Sequence, residues 1–453
     1  MKEKLPADLI TSLQNVKGFD KEAFIETHTS GEQVISIRLN PLKNSKSKIQ
    51  NSKFEKVPWS TEGRYLSERP SFTLDPLFHA GAYYVQEASS MFLEQALVQT
   101  VDLTQPLRIL DLCAAPGGKS TLIQSLISEE SLLVANEIIK TRVNILAENL
   151  TKWGAANVIV TNNQPNDFQN LQSFFDVLVV DAPCSGSGLF RKDEDAIDHW
   201  SLDSVVMCAR RQKDILGDAL PALKAGGILL YSTCSYSTSE NEEMSDWLLD
   251  QGYSSLPVEI NNEWGIVETR SPLSAAYGYR FYPDKLKGEG FFIAAFRKHS
   301  DASTDNRLTK SKLQIASPKE VSIVSSFVTS QNINYVKWQN YILAMPSPVF
   351  NVLSRLQSTF YVKKAGVNIG SIIRDELIPH HELAMSNLVA NISSHEVDES
   401  TALDFLRRKD ISIDSMDRGW ILLTYRDIPL GWIKNLGNRI NNYYPKEWRI
   451  LNK

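Results

Sequence analysis

Between residues 84 and 298, short apolar runs alternate with amphipathic stretches. This alternation limits the possible fold more than any other feature of the 453-residue chain. LRILDLC (107–113), SLLVANEI (131–138), NVIVTN (157–162), FFDVLVVD (174–181) and GGILLYSTC (226–234) read as strands. AYYVQEASSMFLEQALV, STLIQSLI, KTRVNILAENLTKWG and MCARRQKDILGDALPAL read as helices, the third stopped by Gly154. Strands taking turns with helices predict an α/β unit built on a mostly parallel sheet covered on both faces. In such sheets ligands bind beyond the carboxyl ends of the strands.

The rest of the chain divides around this unit. Residues 1–80 read as a small N-terminal α+β domain, in which ISIRLN alternates like a half-buried strand and the Lys- and Ser-rich stretch after it is a loop. The α/β unit takes 81–298, and the polar stretch 299–315 reads as a linker. Residues 316–378 and 379–453 read as two small α+β or mostly β modules. A chain of this length is expected to hold two to four domains. No apolar stretch reaches the roughly 20 residues that span a bilayer. The N-terminal segment lacks an apolar secretory core, and four cysteines without paired spacing argue against a disulfide framework. A cytoplasmic, membrane-free protein is expected.

Net charge is −5, but from Arg307 onward 19 Lys and Arg face 13 Asp and Glu, a local +6 on an otherwise acidic chain. The closing GWIKNLGNRINNYYPKEWRI mixes Trp and Tyr with Lys and Arg. Aromatic faces stack on bases and cations meet phosphates, so this mixture suits RNA; a packed strand edge is the alternative.

ILDLCAAPGGKS is strand, tight loop, helix. Gly117 and Gly118 allow backbone to approach a ligand. The loop lacks both the GxxxxGK[ST] and the GxGxxG spacing. Glu137 ends the next strand 19 residues after Gly118, where an acid can accept from both ribose hydroxyls of a nucleoside cofactor. That arrangement fits S-adenosylmethionine as well as NAD.

Two cysteines, Cys184 and Cys234, follow two apolar runs directly, and Asp181 lies three residues before the first. Neither has a second cysteine or histidine at metal-ligand spacing, so no metal is expected. Cys113 and Cys208 read as inert core thiols. A thiol beside an acid and a methyl-donor pocket suggests methylation at carbon 5 of a pyrimidine. Addition of a thiolate at carbon 6 makes carbon 5 nucleophilic, and the base must first be splayed out of its stack.

DLCAAPGGKS, VVDAPCSGSGLFRKD and YSTCSYSTSENE, in this order, resemble the motifs of the Sun-type RNA cytosine-5 methyltransferases. SIRLNPLK, YYVQEASSM and FYPDKLKGEGFF are similar to further family features, and the C-terminal modules resemble those of the bacterial F-type 16S ribosomal RNA enzymes. The resemblance implies a Rossmann-like core dependent on S-adenosyl-L-methionine, C-terminal RNA-binding modules with a PUA-like last one, and a monomer acting on 16S rRNA or the small ribosomal subunit. It implies that Cys234 is the nucleophile, that Cys184 assists release of the methylated product, and that Asp181 contacts the cytosine with Lys119 near it. Cys113, Ala114, Ala115, Pro116, Gly117, Gly118, Lys119, Glu137, Arg142 and Asp181 would line the cofactor.

Three departures from the family pattern stand out. An acid often follows the fourth strand to meet the adenine; here the stretch is NNQPNDF, and Asn163 or Gln164 takes that place, with Asp167 farther on. Asp284 stands where the F-type enzymes commonly carry His, so that position is not expected to touch phosphate. The catalytic body is acidic, so RNA capture is expected to use local basic patches. Two other readings use the same residues: a DNA cytosine-5 methyltransferase with Cys184 as nucleophile, and a non-catalytic ribosome-assembly factor.

Overall fold

Each apolar run marked above becomes a strand: β1 Arg108–Asp111, β2 Leu132–Asn136, β3 Val158–Thr161, β4 Phe175–Asp181 and β5 Leu223–Thr233. They run parallel in the order β3-β2-β1-β4-β5. Helices α1 Gly118–Leu126, α2 Lys140–Trp153 and α3 Leu202–Ala219 connect them. Both faces of the sheet are covered, which is why its strands are apolar throughout rather than alternating. The computed structural model describes residues 5–44, 54–299, 313–329, 332–390, 392–414 and 417–451. Residues 300–312 of the expected linker, and residues 45–53 of the expected Lys- and Ser-rich loop, lie outside the described residues.

After β5 and the helix α4 Glu242–Asp250, the sheet continues with antiparallel strands: β6 Tyr253–Leu256, β7 Val267–Arg270, β8 Tyr277–Phe281 and β9 Phe291–Lys298. β9 lies directly against β5, with Phe292 opposite Thr233. The GEGFF segment is thereby laid beside the strand end that carries Cys234.

The stretch 82–98, expected as one helix, is a composite. Tyr83–Val85 is a strand paired with Ile35–Leu39, and the α-helix starts only at Leu93. Two tyrosines and a valine favour the pleated surface, and Ile37 opposite Val85 supplies the ladder. Short apolar runs carry no period that separates the two states. The four-stranded N-terminal sheet therefore takes its last strand from the beginning of this stretch.

The segment from Gln314 to Pro379 forms a five-stranded sheet, and its first strand, Gln314–Ile315, takes the last two residues of the expected linker by pairing with Lys337 and Val336. One of its strands leaves it: β10, Val362–Ala365, pairs antiparallel with β3 and extends the catalytic sheet. Helix Ser347–Leu356 buries Val349, Val352, Leu353 and Leu356 in the same apolar cluster as Leu110, Leu178 and Leu229. Burying four such side chains contributes roughly 6–12 kcal/mol before entropy is counted. The last sheet, Ser394–Glu396 to Ile440–Asn442, packs with helix Glu399–Leu406. Phe405 and Tyr444 join Ile37, Leu39 and Leu77 of the N-terminal domain in one apolar cluster.

Candidate active site

Five strand ends open on one side of the sheet. β1 leads into Leu112–Gly118, where Gly117 caps α1 at φ 117°, a conformation that only glycine adopts without strain. A side chain on Gly118 would come within 3.4 Å of Tyr84. The loop is held from three sides. Asn136 donates to the Leu112 carbonyl at 3.1 Å, Arg142 to Ala115 at 2.7 Å, and Asn149 to Pro116 at 2.8 Å.

The fourth hold comes from the N-terminal domain. Arg38, fully buried, donates to the Gly118 carbonyl at 3.3 Å, to Thr121 at 2.5 Å and to Gln86 at 2.8 Å, and stacks 4.4 Å from the Trp153 ring. Burial with no carboxylate in direct contact lowers its pKa to about 9.

Glu137 is buried at the end of β2. One of its oxygens accepts from the Ile139 N–H at 2.9 Å, and the other lies 3.5 Å from Arg142. Asp111 accepts from Ser120 at 2.6 Å, while its Oδ1 has no partner among the described residues. Burial raises its pKa to about 7. A glycine loop open to close approach, an acid at the next strand end and an orphaned carboxyl oxygen beneath the loop fit an adenosine-type cofactor.

β4 leads to Asp181 and Cys184, and β5 to Ser232 and Cys234. The Cys184 and Cys234 sulfurs are 3.1 Å apart. Contact with the Cys234 sulfur, together with burial, pushes the Cys184 thiol well above its ordinary range. Lys119 forms an ion pair with Asp181 at 2.8 Å, and Ser232 donates to the other Asp181 oxygen at 2.8 Å. Burial alone would lower the lysine pKa, but Asp181 outweighs it and the net shift is upward. Lys119, Asp181, Cys234, Cys113, Ala114–Pro116 and Gly118 line one cleft of about 370 Å³, with Glu289–Phe291 also in its lining.

The expected site residues fall into three groups. Lys119, Asp181, Cys184 and Cys234 converge. Cys113 to Gly118, Glu137 and Arg142 surround the loop above β1 and β2. Asn163 and Gln164 sit at the end of β3, away from the cysteine cleft. Both ends of the Asn163 amide are engaged, donating to Asp167 at 3.1 Å and accepting from the Tyr361 N–H at 3.1 Å. Gln164 and Asp167 cap the helical turn Pro165–Leu171.

Asp284 is buried, its side chain 3 % exposed, with Lys285 at 3.4 Å. Cys113 and Cys208 are both free thiols, as are the two central ones. No group of three or more metal-ligating side chains occurs among the described residues. Arg38, Ser232 and Glu240 were not marked in the sequence. Arg38 sits in SIRLN and Glu240 in STSENEE, where an arginine on a strand and an acid in a polar turn both read as solvent-facing.

The aromatic C-terminal stretch is mixed in its placement. Trp432 and Tyr444 are fully buried, as a packed strand requires. Tyr443 is exposed and meets Trp420 edge-on at 4.5 Å, with the Lys434 ammonium 5.2 Å from the Trp420 ring.

Comparison with known proteins agrees with this layout. The N-terminal domain of 16S rRNA methyltransferase RsmF matches residues 5–88, 16S rRNA methyltransferase RsmB/F matches 98–297, and the methyltransferase RsmF PUA domain matches 393–450. The chain is 30 % identical to ribosomal RNA small subunit methyltransferase F of Aliivibrio fischeri, over 91 % of this chain and 90 % of that protein. It is 32 % identical to the protein of the same description from Shewanella oneidensis, with the same coverage. Among solved structures, a methyltransferase homolog protein from Pyrococcus horikoshii has TM-score 0.52 at 30 % identity, covering 65 % of this chain and 100 % of that one. NSun6 from the same organism, with SFG, has TM-score 0.54 at 20 % identity, covering 66 % of this chain and 100 % of that one, and agrees in fold. With N-terminal domain, catalytic core and PUA domain matched in order, the chain belongs to the RsmF group of the 16S rRNA methyltransferase RsmB/F family, S-adenosyl-L-methionine-dependent enzymes.

Proposed function

We propose that this protein forms 5-methylcytosine in RNA, on 16S ribosomal RNA of the small subunit, by covalent catalysis from Cys234. The observation that carries the reading is that Cys234 lines one cleft with the Lys119–Asp181 pair while its sulfur touches that of Cys184 at 3.1 Å. Carbon 5 of cytosine is a poor nucleophile. The Cys234 thiol gives up its proton as its sulfur bonds carbon 6 and N3 takes up a proton; the resulting enamine makes carbon 5 nucleophilic. Asp181, fixed by Lys119 and Ser232, meets N3 and the 4-amino group and stabilises the charge of the adduct.

S-adenosyl-L-methionine, when bound, supplies the electrophilic sulfonium methyl. Cys113 to Lys119, Glu137 and Arg142 would hold it, with Glu137 accepting from the ribose hydroxyls. Asn163 and Gln164 border the adenine side, and Asn163 reaches the adenine only by releasing Asp167 or the Tyr361 N–H.

After methylation, carbon 5 loses its proton to a base, the carbon 5–carbon 6 double bond re-forms as the carbon–sulfur bond to Cys234 breaks, and N3 gives up the proton it took. Cys184, kept protonated by its surroundings, gives its proton to the departing sulfur. Cys234 lines the cleft beside Lys119 and Asp181 and Cys184 is not among its lining residues, which favours Cys234 as the nucleophile over the DNA-type mechanism. The C-terminal modules place exposed Tyr443 and the nearby Lys434 where single-stranded RNA can stack.

The RNA-binding parts are carried in one chain, which supports a monomer, and no helix among the described residues is long and apolar enough to cross a membrane. A cytoplasmic location completes the reading. Bisulfite mapping of 16S rRNA from a strain lacking the gene tests it. Loss of protection at one or a few cytosines, restored by the wild-type protein and not by Cys234→Ala, is expected. An unchanged map refutes the reading, and transfer to DNA in preference to RNA revives the alternative.

A further inference from the structure

Glu240 lies six residues beyond the Cys234 loop's first residue and is fully buried. Its carboxylate has both oxygens occupied by residues that follow the two cysteines. Oε1 accepts the Ser185 N–H at 2.8 Å; Oε2 accepts the Ser185 hydroxyl at 2.6 Å and the Ser235 hydroxyl at 2.5 Å. The two hydroxyls are themselves 3.2 Å apart. Gln212 of α3, also buried, donates to the Pro183 carbonyl at 3.0 Å and to Glu240 Oε1 at 3.3 Å. Tyr231 fixes the backbone of Glu240 by donating to its carbonyl at 2.7 Å.

We infer that Glu240 is a positioning residue that clamps the Cys184 loop onto the Cys234 loop, so that release of the methylated product depends on it more than methyl transfer does. The inference rests on the two-cysteine reading above. It follows from an asymmetry in how the loops are held.

The Cys234 loop has anchors independent of Glu240. Thr233 bonds Asn241 at 2.6 Å, Asn241 donates to the Ser235 carbonyl at 2.7 Å, and the Ser235 N–H donates to Thr233 at 3.2 Å. Two further bonds join the loops to each other beyond the cysteines, from the Tyr236 N–H to Ser187 at 2.9 Å and from the Gly188 N–H to the Cys234 carbonyl at 2.8 Å. Ser185, the residue next to Cys184, sends both its N–H and its hydroxyl to Glu240. Burial raises the Glu240 pKa, and four donors converging on it oppose that shift. Hydrogen bonds to a buried acid are strong and directional, which suits a device that sets the spacing of two sulfurs.

Without the clamp, Ser185 loses both of its bonds to Glu240 while Ser235 keeps those to Asn241 and Thr233, so the chain at Cys184 shifts more than the chain at Cys234. A displacement of about 1 Å at a reacting group slows the step it serves by up to roughly 10²-fold.

The test uses the full-length protein, 16S rRNA substrate and labelled S-adenosyl-L-methionine. It measures single-turnover methyl transfer, and the fraction of enzyme in denaturant-resistant adduct with RNA at steady state. Cys184→Ala serves as reference, Glu240→Ala removes the whole clamp, and Ser185→Ala removes one arm and keeps the folded core if Glu240→Ala does not fold. The expected result is multiple turnover slowed by roughly 10²-fold in Glu240→Ala, with adduct accumulating as in Cys184→Ala and single-turnover transfer reduced far less. Ser185→Ala is expected to shift the same way by a smaller factor.

A merely structural role predicts the opposite, less adduct and slower transfer together. If Cys184→Ala accumulates adduct while folded Glu240→Ala and Ser185→Ala do not, Glu240 is not the positioning residue. If Cys184→Ala itself accumulates none, the two-cysteine reading fails first.

Discussion

The Cys184 and Cys234 sulfurs touch at 3.1 Å, although 50 residues separate them in the chain. β4 and β5 are parallel neighbours, with Asp181 opposite Ser232, so three residues past the one and two past the other bring the two thiols together. One thiol can then serve the other. Cys234→Ala is expected to abolish both methyl transfer and adduct, whereas Cys184→Ala is expected to methylate once and remain bound to RNA. Gel mobility of the protein–RNA complex after denaturation, alongside methyl incorporation, distinguishes the two. Normal turnover by Cys234→Ala would contradict the assignment.

Lys119 and Asp181 form the charged wall of the cleft, and the lysine side chain is only 13 % exposed. Lys119→Met leaves Asp181 with Ser232 as its remaining partner. Methyl transfer at saturating cofactor is expected to fall by roughly 10²–10³-fold, the usual cost of losing one preorganised electrostatic group. A loss under threefold would mean that the pair only supports the loop.

Glu137 is the acid expected to hold the cofactor ribose. A hydrogen bond to a charged group is worth about 1.5–3 kcal/mol, so Glu137→Ala should weaken S-adenosyl-L-methionine binding by roughly 10–100-fold. Titration calorimetry on the free protein measures this without RNA. An unchanged dissociation constant would move the ribose elsewhere.

Helix Ser347–Leu356 and Phe360 share their apolar cluster with the catalytic sheet, and Phe360 meets the Phe168 ring at 5.0 Å. Phe360→Ala is expected to destabilise the catalytic core by about 3–5 kcal/mol, the usual range for emptying a buried aromatic site. Thermal unfolding followed by cofactor protection reports on the core itself. A stability change confined to a separate transition, with the core unaffected, would show that the shared cluster contributes little.

His79 is buried with one ring nitrogen on the Thr73 carbonyl at 2.9 Å and the other without a partner among the described residues. Burial first and Lys152 second hold its pKa at about 4, below the ordinary 6.5. The folded form keeps it neutral, so the unfolded chain takes up the proton first as pH falls. Its contribution to stability is intact above pH 6.5 and is lost toward pH 4, at about 1.4 kcal/mol per pH unit within that window. The gap in melting temperature between wild type and His79→Gln should therefore narrow on going from pH 7 to 4.5. A constant gap would mean that His79 does not titrate as described.

The sequence by itself determined the catalytic sheet and its contents. Strands buried on both faces must be apolar along their length, and a glycine loop or a reactive side chain at the end of such a run has one place to go. LRILDLC, SLLVANE, FFDVLVVD and GGILLYSTC were legible for that reason, and with them the strand-end placement of Glu137, Asp181, Cys184 and Cys234. The tertiary structure decided what depends on contacts between distant segments. Tyr83–Val85 became a strand because Ile35–Leu39 offered a partner, and β10 left its own module because the edge of β3 was open to pairing. Arg38 and Glu240 are charged residues that local sequence assigns to solvent; only the folded chain supplies the carbonyls, hydroxyls and amide donors that make burying them tolerable.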